Sequence, residues 1–114
     1  MRRGEIWSVN LDPTIGSEIR KQRPALIVNR DAIGVLPLKI VVPITGWREA
    51  FGNAPWFVSL DRDPANGIVK KSAADAFQVR SVSEQRLVEK LGDVDAETMK
   101  RVETALALVL NLDE

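Results

Sequence analysis

The chain has 114 residues, 45% of them hydrophobic, and its 16 basic and 16 acidic residues cancel to a formal net charge of zero. This composition predicts one globular domain over residues 1–114 and argues against disorder. Histidine and cysteine are absent, which excludes Ser–His triads, His-based acid–base pairs and Cys/His zinc sites. No apolar stretch approaches the roughly 20 residues that cross a bilayer. We therefore expect no membrane partner and a cytoplasmic location.

The charge is unevenly distributed along the chain. Residues 1–30 contain six basic and three acidic residues, whereas residues 83–114 contain four basic and eight acidic residues. An anionic ligand would therefore bind the first region in preference to the second. Charge alone is equally consistent with a soluble protein whose charged side chains are simply solvated.

The first two thirds of the chain have the pattern of short strands separated by turns. Trp7, Val9 and Leu11 alternate with polar residues and predict a half-buried strand, which Pro13 ends. A polar loop over residues 14–23 then precedes a strand over residues 25–28. That strand is apolar throughout, so we expect it to be buried on both faces.

Further strands are predicted beyond this point, and a helix closes the chain. The strands cover about residues 39–45, 57–60, 68–69 and 77–80. Pro43 suggests that the first of these is an edge strand or contains a bulge. From about 95 to 110 the apolar period becomes three to four, which predicts an amphipathic helix covering the sheet. Strands this short indicate a small barrel or sandwich, a mainly β (α+β) protein.

Arg23 is the first residue that could carry chemistry. Pro24 restricts the backbone before it to extended conformations, at the junction of a cationic loop and a buried strand. A guanidinium held there could bind a phosphate through two parallel donors. The simpler alternative is a surface salt bridge, for example with Glu18.

Other candidates lie on the later strands. Thr45 ends an apolar strand, where its hydroxyl could donate to a phosphate oxygen. Gln78 and Arg80 are two residues apart, so we expect them on one face of one strand. There they could contact base edges and a backbone phosphate, or simply face solvent. Large aromatic residues could stack on bases but are more often core; they are Trp47, Trp56 and Phe57. The acidic residues have no recognisable metal-loop spacing, so no metal site is predicted; they are Glu18, Asp61, Asp63 and Asp75.

Three stretches in order resemble the MazF/PemK/Kid family of toxin endoribonucleases from bacterial toxin–antitoxin modules. The opening "RRGEIWSVNLDPTIGSEIRKQRPALIVNR" resembles the start of that family, "VVPITG" its third strand, and "FQVRSVSEQRLVEKLGDVDAETMKRV" its closing segment. The resemblance covers nearly the whole chain. It implies an SH3-like β-barrel of the CcdB/MazF type with a C-terminal amphipathic helix, working as a homodimer without a cofactor.

The resemblance also implies an activity and its partners. The activity would be sequence-specific, metal-independent cleavage of single-stranded mRNA, with products ending in a 2′,3′-cyclic phosphate and a 5′-hydroxyl. A cognate MazE-like antitoxin would inhibit it through an acidic tail laid over the RNA groove. Two alternatives remain: a CcdB-like toxin that binds gyrase, and a non-catalytic RNA-binding barrel.

The family's functional residues correspond to particular positions of this chain. Catalytic roles are implied for Arg23, Thr45 and Glu18. RNA contacts are implied for Ser17, Arg20, Lys21, Gln22, Trp47, Gln78 and Arg80. One position departs from the pattern, because some members have an acid immediately before the Gln and this chain has Phe77. Asp75 is expected on the same strand face as Phe77, where it could replace that acid.

Overall fold

A computed structural model describes residues 1–33 and 36–112, and within them an antiparallel sheet is followed by one helix. The strands are β1 Glu5–Asn10, β2 Gln22–Ile27, β3 Leu38–Gly46, β4 Phe57–Leu60, β5 Ser72–Asp75, β6 Arg80–Ser83 and β7 Leu87–Asp93, and the helix is α1 Ala96–Leu110. Their order in the sheet is β4-β5-β3-β2-β1-β7, with β6 also paired to β3. The predicted mainly β fold with a C-terminal helix is confirmed.

The β2 strand lies at the centre of the sheet and is buried on both faces, as predicted. Ala25, Leu26 and Ile27 are each 0% exposed. Leu26 packs in one hydrophobic cluster, which includes Val102 of α1, whereas Ala25 and Ile27 belong to a second cluster on the opposite side. Side chains of a strand alternate between faces, so an unbroken apolar run fills both clusters.

Pro43 lies in a strand with neighbours on both sides, so the expectation of an edge strand is wrong for β3 as a whole. Around Pro43, however, the side of β3 that faces β5 and β6 lacks a paired neighbour. Along one side of β3, β6 pairs with residues Leu38–Val41 and β5 with residues Ile44–Gly46. Pro43 falls between these two stretches and pairs with Ala25 of β2. The missing N–H of proline is therefore accommodated where β3 changes neighbours.

The segment around residue 77 differs from its prediction. Residues 76–78 form a 3₁₀ turn instead of a strand, because the Asp75 carboxylate accepts the Phe77 N–H at 3.1 Å and caps the turn. Gln78 lies in this turn and Arg80 begins β6, so the two residues do not share one strand. The prediction also missed β5 and β7, and Ile68 forms only an isolated bridge with Asp63.

The helix α1 matches its predicted range and packs on the sheet. Asp95 caps it by accepting the Thr98 N–H at 2.8 Å, and Asn111 ends it with a left-handed φ of 58°. Val102 and Ala105 are buried, with Met99, Leu106 and Val109 packed against the same cluster. No helix among the described residues is long and apolar enough to span a membrane.

Glu5 makes the stability of the fold depend on acid pH. Its side chain is 12% exposed, its Oε1 accepts the Trp7 indole N–H at 2.8 Å, and Lys90 Nζ is 3.4 Å from its Oε2. Burial alone would raise the pKa of Glu5, but these hydrogen bonds and nearby positive charges outweigh it and lower the pKa from 4.5 to about 2. This stabilisation is complete above about pH 4.5 and is lost as the pH falls towards 2.

We therefore expect Glu5→Gln to lower the thermal unfolding midpoint at pH 7 and to lower it less at pH 3. The substitution removes a charged acceptor whose contribution to the wild-type protein already declines in acid. Glu89→Gln is the matched control, because it neutralises an exposed carboxylate on β7 that makes no ion pair within the described residues. A Glu5→Gln difference of equal size at both pH values would contradict this explanation.

Candidate active site

A groove of about 290 Å³ brings Arg23 and Thr45 together at one end of the sheet. The two residues lie on neighbouring antiparallel strands, where Ala25 pairs with Pro43. The pairing of these strands ends there, and both Arg23 and Thr45 lie just beyond it, lining the groove. Pairing of the apolar residues Ala25–Ile27 with Val41–Pro43 thus brings the adjoining polar residues of β2 and β3 to the same groove.

Arg23 has no carboxylate partner among residues 1–33 and 36–112. Its Nε donates to the Arg20 carbonyl oxygen at 3.3 Å, and its backbone pairs with Val9 of β1. Glu18 does not form the alternative salt bridge with it, since Oε1 of Glu18 accepts the Ile15 N–H at 2.7 Å. Within the described residues, the Arg23 guanidinium keeps donors available for an anion in the groove.

The same groove contains a second cation that the sequence reasoning missed. Lys70 and Ser72 line it beside Thr45, because β5 pairs with β3 from Thr45↔Ala73 to Gly46↔Ser72. Lys70 Nζ lies 3.4 Å from the position that a Cβ on Gly46 would occupy. The pair Lys70-Lys71 before a small-residue strand was the available signal in the sequence. One guanidinium, one ammonium and one threonine hydroxyl thus face a single space that suits a phosphate.

A second groove, of about 500 Å³, contains Glu18 and Ser17 together with Phe77, Gln78 and Arg80. Gln78 fastens the loop to this wall: its Oε1 accepts the Ile19 N–H at 2.6 Å and its Nε2 donates to the Ser17 carbonyl at 3.2 Å. Glu18 does not line the groove that holds Arg23 and Thr45. The structure therefore separates the predicted acid from the two predicted donors.

Two of the remaining loop residues with predicted RNA contacts are hydrogen-bonded to β1 or to the residues that follow it. Lys21 adopts a left-handed φ of 71° with its N–H donating to Asp12 Oδ1 at 3.0 Å. The Gln22 side-chain Nε2 donates a hydrogen bond to Ser8 Oγ at 2.8 Å, so this side chain already has a partner within the sheet. Arg20 and Lys21 are exposed and make no ion pair within the described residues.

The aromatic residues divide between core and surface. Trp56 packs against the core cluster, and Phe57 stacks on Phe51 with ring centroids 3.9 Å apart. Trp47, two residues after Thr45, packs edge-to-face with Phe51, with the ring centroids 5.9 Å apart. Lys71 Nζ lies over the Trp47 ring, 4.7 Å from its centroid. Among the predicted stacking residues, Trp47 follows Gly46, which lines the Arg23 groove.

Asp75 and Phe77 do not share one strand face, contrary to expectation, because Asp75 ends β5 and Phe77 lies in the 3₁₀ turn. Asp75 is 5% exposed, whereas Phe77 is 67% exposed. Burial raises the pKa of Asp75, and the hydrogen bonds from Phe77 and Gln78 oppose that rise. Asp75 is therefore a structural cap, and the position before Gln78 presents an aromatic ring to solvent.

No group of three or more acidic side chains suited to a metal ion occurs in residues 1–33 and 36–112. Asp61 and Asp63 line a separate pocket near the start of α1, away from Arg23 and Thr45. The chemical groups gathered around Arg23 are therefore cations and hydroxyls, a set that can bind a phosphate and stabilise added negative charge on it.

Comparisons with known proteins agree with this arrangement. The chain is 36% identical to endoribonuclease MazF9 of Mycobacterium tuberculosis (strain ATCC 25618 / H37Rv), with 98% of each chain covered. It is 32% identical to endoribonuclease EndoA of Bacillus subtilis (strain 168), covering 98% of this chain and 96% of that one. A crystal structure of MazE–MazF from Deinococcus radiodurans aligns with a TM-score of 0.76 at 25% identity, covering 99% and 97%. With residues 2–110 matching its pattern, the chain belongs to the PemK-like, MazF-like toxin family of type II toxin–antitoxin systems.

Proposed function

We propose that this protein is the toxin of a type II toxin–antitoxin module and cleaves single-stranded mRNA as an endoribonuclease. Residues 1–114 act as a single catalytic domain in the cytoplasm, and no cofactor is required. The observation that carries the proposal is the groove that Arg23, Thr45 and Lys70 line together. The endoribonuclease names of its relatives support the same reading.

The proposed reaction uses a nucleophile that the substrate supplies. The 2′-hydroxyl loses its proton and its oxygen attacks the adjacent phosphorus, and the bond to the 5′-oxygen breaks. The leaving 5′-oxygen takes a proton from water, so the products carry a 2′,3′-cyclic phosphate and a 5′-hydroxyl. Arg23 and Thr45 donate to the non-bridging oxygens, where charge accumulates in the transition state. The protein otherwise has to hold the 2′-oxygen in line with the leaving oxygen.

Proton transfer involves a residue outside the groove that Arg23 lines. Glu18 is the proposed acceptor of the 2′-hydroxyl proton, although it lines the neighbouring groove. Its role therefore requires an RNA strand that crosses both grooves and draws the loop of residues 14–21 towards Arg23. Arg23 serves as a charge-stabilising donor through its planar guanidinium.

The proposed partners are RNA, a cognate antitoxin and a second copy of the chain. The MazE–MazF composition of the Deinococcus radiodurans complex supports a MazE-like antitoxin. A homodimer is proposed from family membership. The gyrase-binding and non-catalytic alternatives do not need an arginine, a lysine and a threonine in one groove, so the arrangement favours the nuclease.

The test is incubation of the purified protein, freed of any bound antitoxin, with long mixed-sequence RNA and excess EDTA. Mapping of the cut sites should give discrete cleavage at a short recurrent sequence. A parallel supercoiling assay with gyrase should show no inhibition. Intact RNA with a folded, antitoxin-free protein would contradict the proposal, and inhibited gyrase would replace it with the CcdB-like alternative.

Lys70→Gln is expected to weaken RNA binding in proportion to one lost phosphate contact. The slope of log K against log salt should become less steep by about 0.7, the value for one phosphate on a single strand. Lys100→Gln is the matched control, because Lys100 lies on the exposed face of α1 and lines neither groove. An unchanged slope of log K against log salt in both variants would show that Lys70 makes no contact with an RNA phosphate.

A further inference from the structure

Phe77 is a large aromatic side chain that the fold presents to solvent and also holds in place. It is 67% exposed on the wall of the second groove. Its backbone is fixed by the Asp75 cap, and its ring packs against Trp56 with centroids 5.9 Å apart and planes inclined by 59°. One edge of the ring is thus supported by the protein while much of its surface remains accessible.

The side chains around Phe77 suit a nucleotide better than an apolar ligand. Ser17, Glu18, Gln78 and Arg80 share the groove with it. One guanidinium nitrogen of Arg80 donates to the Leu11 carbonyl at 3.2 Å, and the group has further N–H donors for a phosphate. An aromatic face beside a cationic donor is the combination by which proteins bind single strands, through stacking and backbone contact.

A single segment of the chain runs from this groove to the proposed catalytic groove. The hydrogen bonds from Gln78 tie residues 17–19 to the wall that carries Phe77. The same loop then continues through the exposed Arg20 and Lys21 to Arg23. A strand bound at Arg23 that follows these cations would place a neighbouring base at Phe77.

We propose that Phe77 is the stacking platform for one unpaired base of the RNA substrate, next to the cleaved phosphate. This inference rests on the proposed endoribonuclease function and adds a specificity-determining residue to it. An aromatic ring binds a base by stacking on the face of the base, without any charged group. Binding of a base at this position should therefore depend on the aromatic ring of Phe77. Asp75 contributes indirectly, as a positioning residue that fixes the turn.

The test compares two 2′-deoxy oligonucleotides, one with bases and one fully abasic, which a 2′-hydroxyl mechanism cannot cleave. Base stacking contributes about 1–3 kcal/mol, or roughly 5- to 150-fold in affinity. Phe77→Leu should therefore reduce the preference for the base-bearing strand by at least about 5-fold, by the same stacking estimate. Phe77→Trp should preserve the preference. Val88→Ala is the control, since it shortens another exposed apolar side chain on β7, and should also preserve it.

A cleavage assay with the same variants separates this inference from the proposed function. Phe77→Leu should raise KM for RNA more than it lowers kcat. If the wild type cuts no RNA but the oligonucleotide preference still depends on Phe77, the stacking site stands and the nuclease fails. If RNA is cut while Phe77→Leu keeps the full preference, the stacking proposal is wrong. Loss of antitoxin binding alone would likewise overturn it and make Phe77 a protein-docking residue.

Discussion

Arg23→Ala is expected to lower the rate of RNA cleavage by about 10²–10³-fold, the usual effect of removing one preorganised transition-state donor. Arg23 lines the same groove as Thr45 and has no carboxylate partner among the described residues. The loss should appear in kcat, because the added charge on the phosphate develops only in the transition state. The measurement is a single-turnover cleavage rate with a saturating concentration of enzyme.

Two variants make this result interpretable. Arg30→Ala removes an exposed arginine that lies beyond the other end of β2 and outside both grooves, so its cleavage rate should match the wild type. Arg23→Lys keeps the charge but loses the planar pair of donors, and we expect only partial activity. A folded Arg23→Ala protein that cleaves RNA at a near-normal rate would remove Arg23 from the mechanism.

Gly67→Ala is expected to destabilise the fold more than Gly4→Ala or Gly52→Ala. Gly67 has a left-handed φ of 76°, and a Cβ there would lie 2.3 Å from the Leu91 carbonyl oxygen. The strain of the left-handed backbone and the contact with β7 together should lower the free energy of unfolding by about 2–5 kcal/mol. Gly67 also lines the Arg23 groove, so its close approach to β7 helps to shape that groove.

Urea denaturation of three alanine variants separates these two causes. Gly4 has a φ of 92° with nothing within 4 Å of an added Cβ, so Gly4→Ala should lose only the left-handed contribution, about 1–2 kcal/mol. Gly52 has neither restriction, and Gly52→Ala should be nearly neutral. If Gly67→Ala is no less stable than Gly4→Ala, the contact with Leu91 is not a constraint on the sequence.

The parts of the fold that could be predicted are those set by local pattern. The apolar run of residues 25–28 identified the central strand, and the three-to-four spacing of Met99, Val102, Leu106 and Val109 identified α1 and its core face. Arg23 and Thr45 were candidates because each lies beside an apolar stretch, and the resemblance to the toxin family gave them their implied catalytic roles. The structure places both residues on one groove.

The parts that could not be predicted depend on contacts between distant residues. The 3₁₀ turn at residues 76–78 forms because Asp75 turns inwards and caps it, although Phe77 and Val79 have the alternation of a strand. Lys70 reaches the Arg23 groove only through the pairing of β5 with β3. The β7 strand was not predicted because its residues are largely exposed and include charged side chains, so they show no apolar alternation.

The central claim is that Arg23 and Thr45 act on a phosphate attacked by the neighbouring 2′-oxygen. The most direct test is cleavage, in excess EDTA, of a short RNA with one mapped cut site, compared with the same RNA carrying a single 2′-deoxy nucleotide at that site. The proposal predicts 2′,3′-cyclic phosphate and 5′-hydroxyl ends from the first RNA and no cut at the deoxy position of the second. Cleavage at the deoxy position, or products with 5′-phosphate ends, would contradict it.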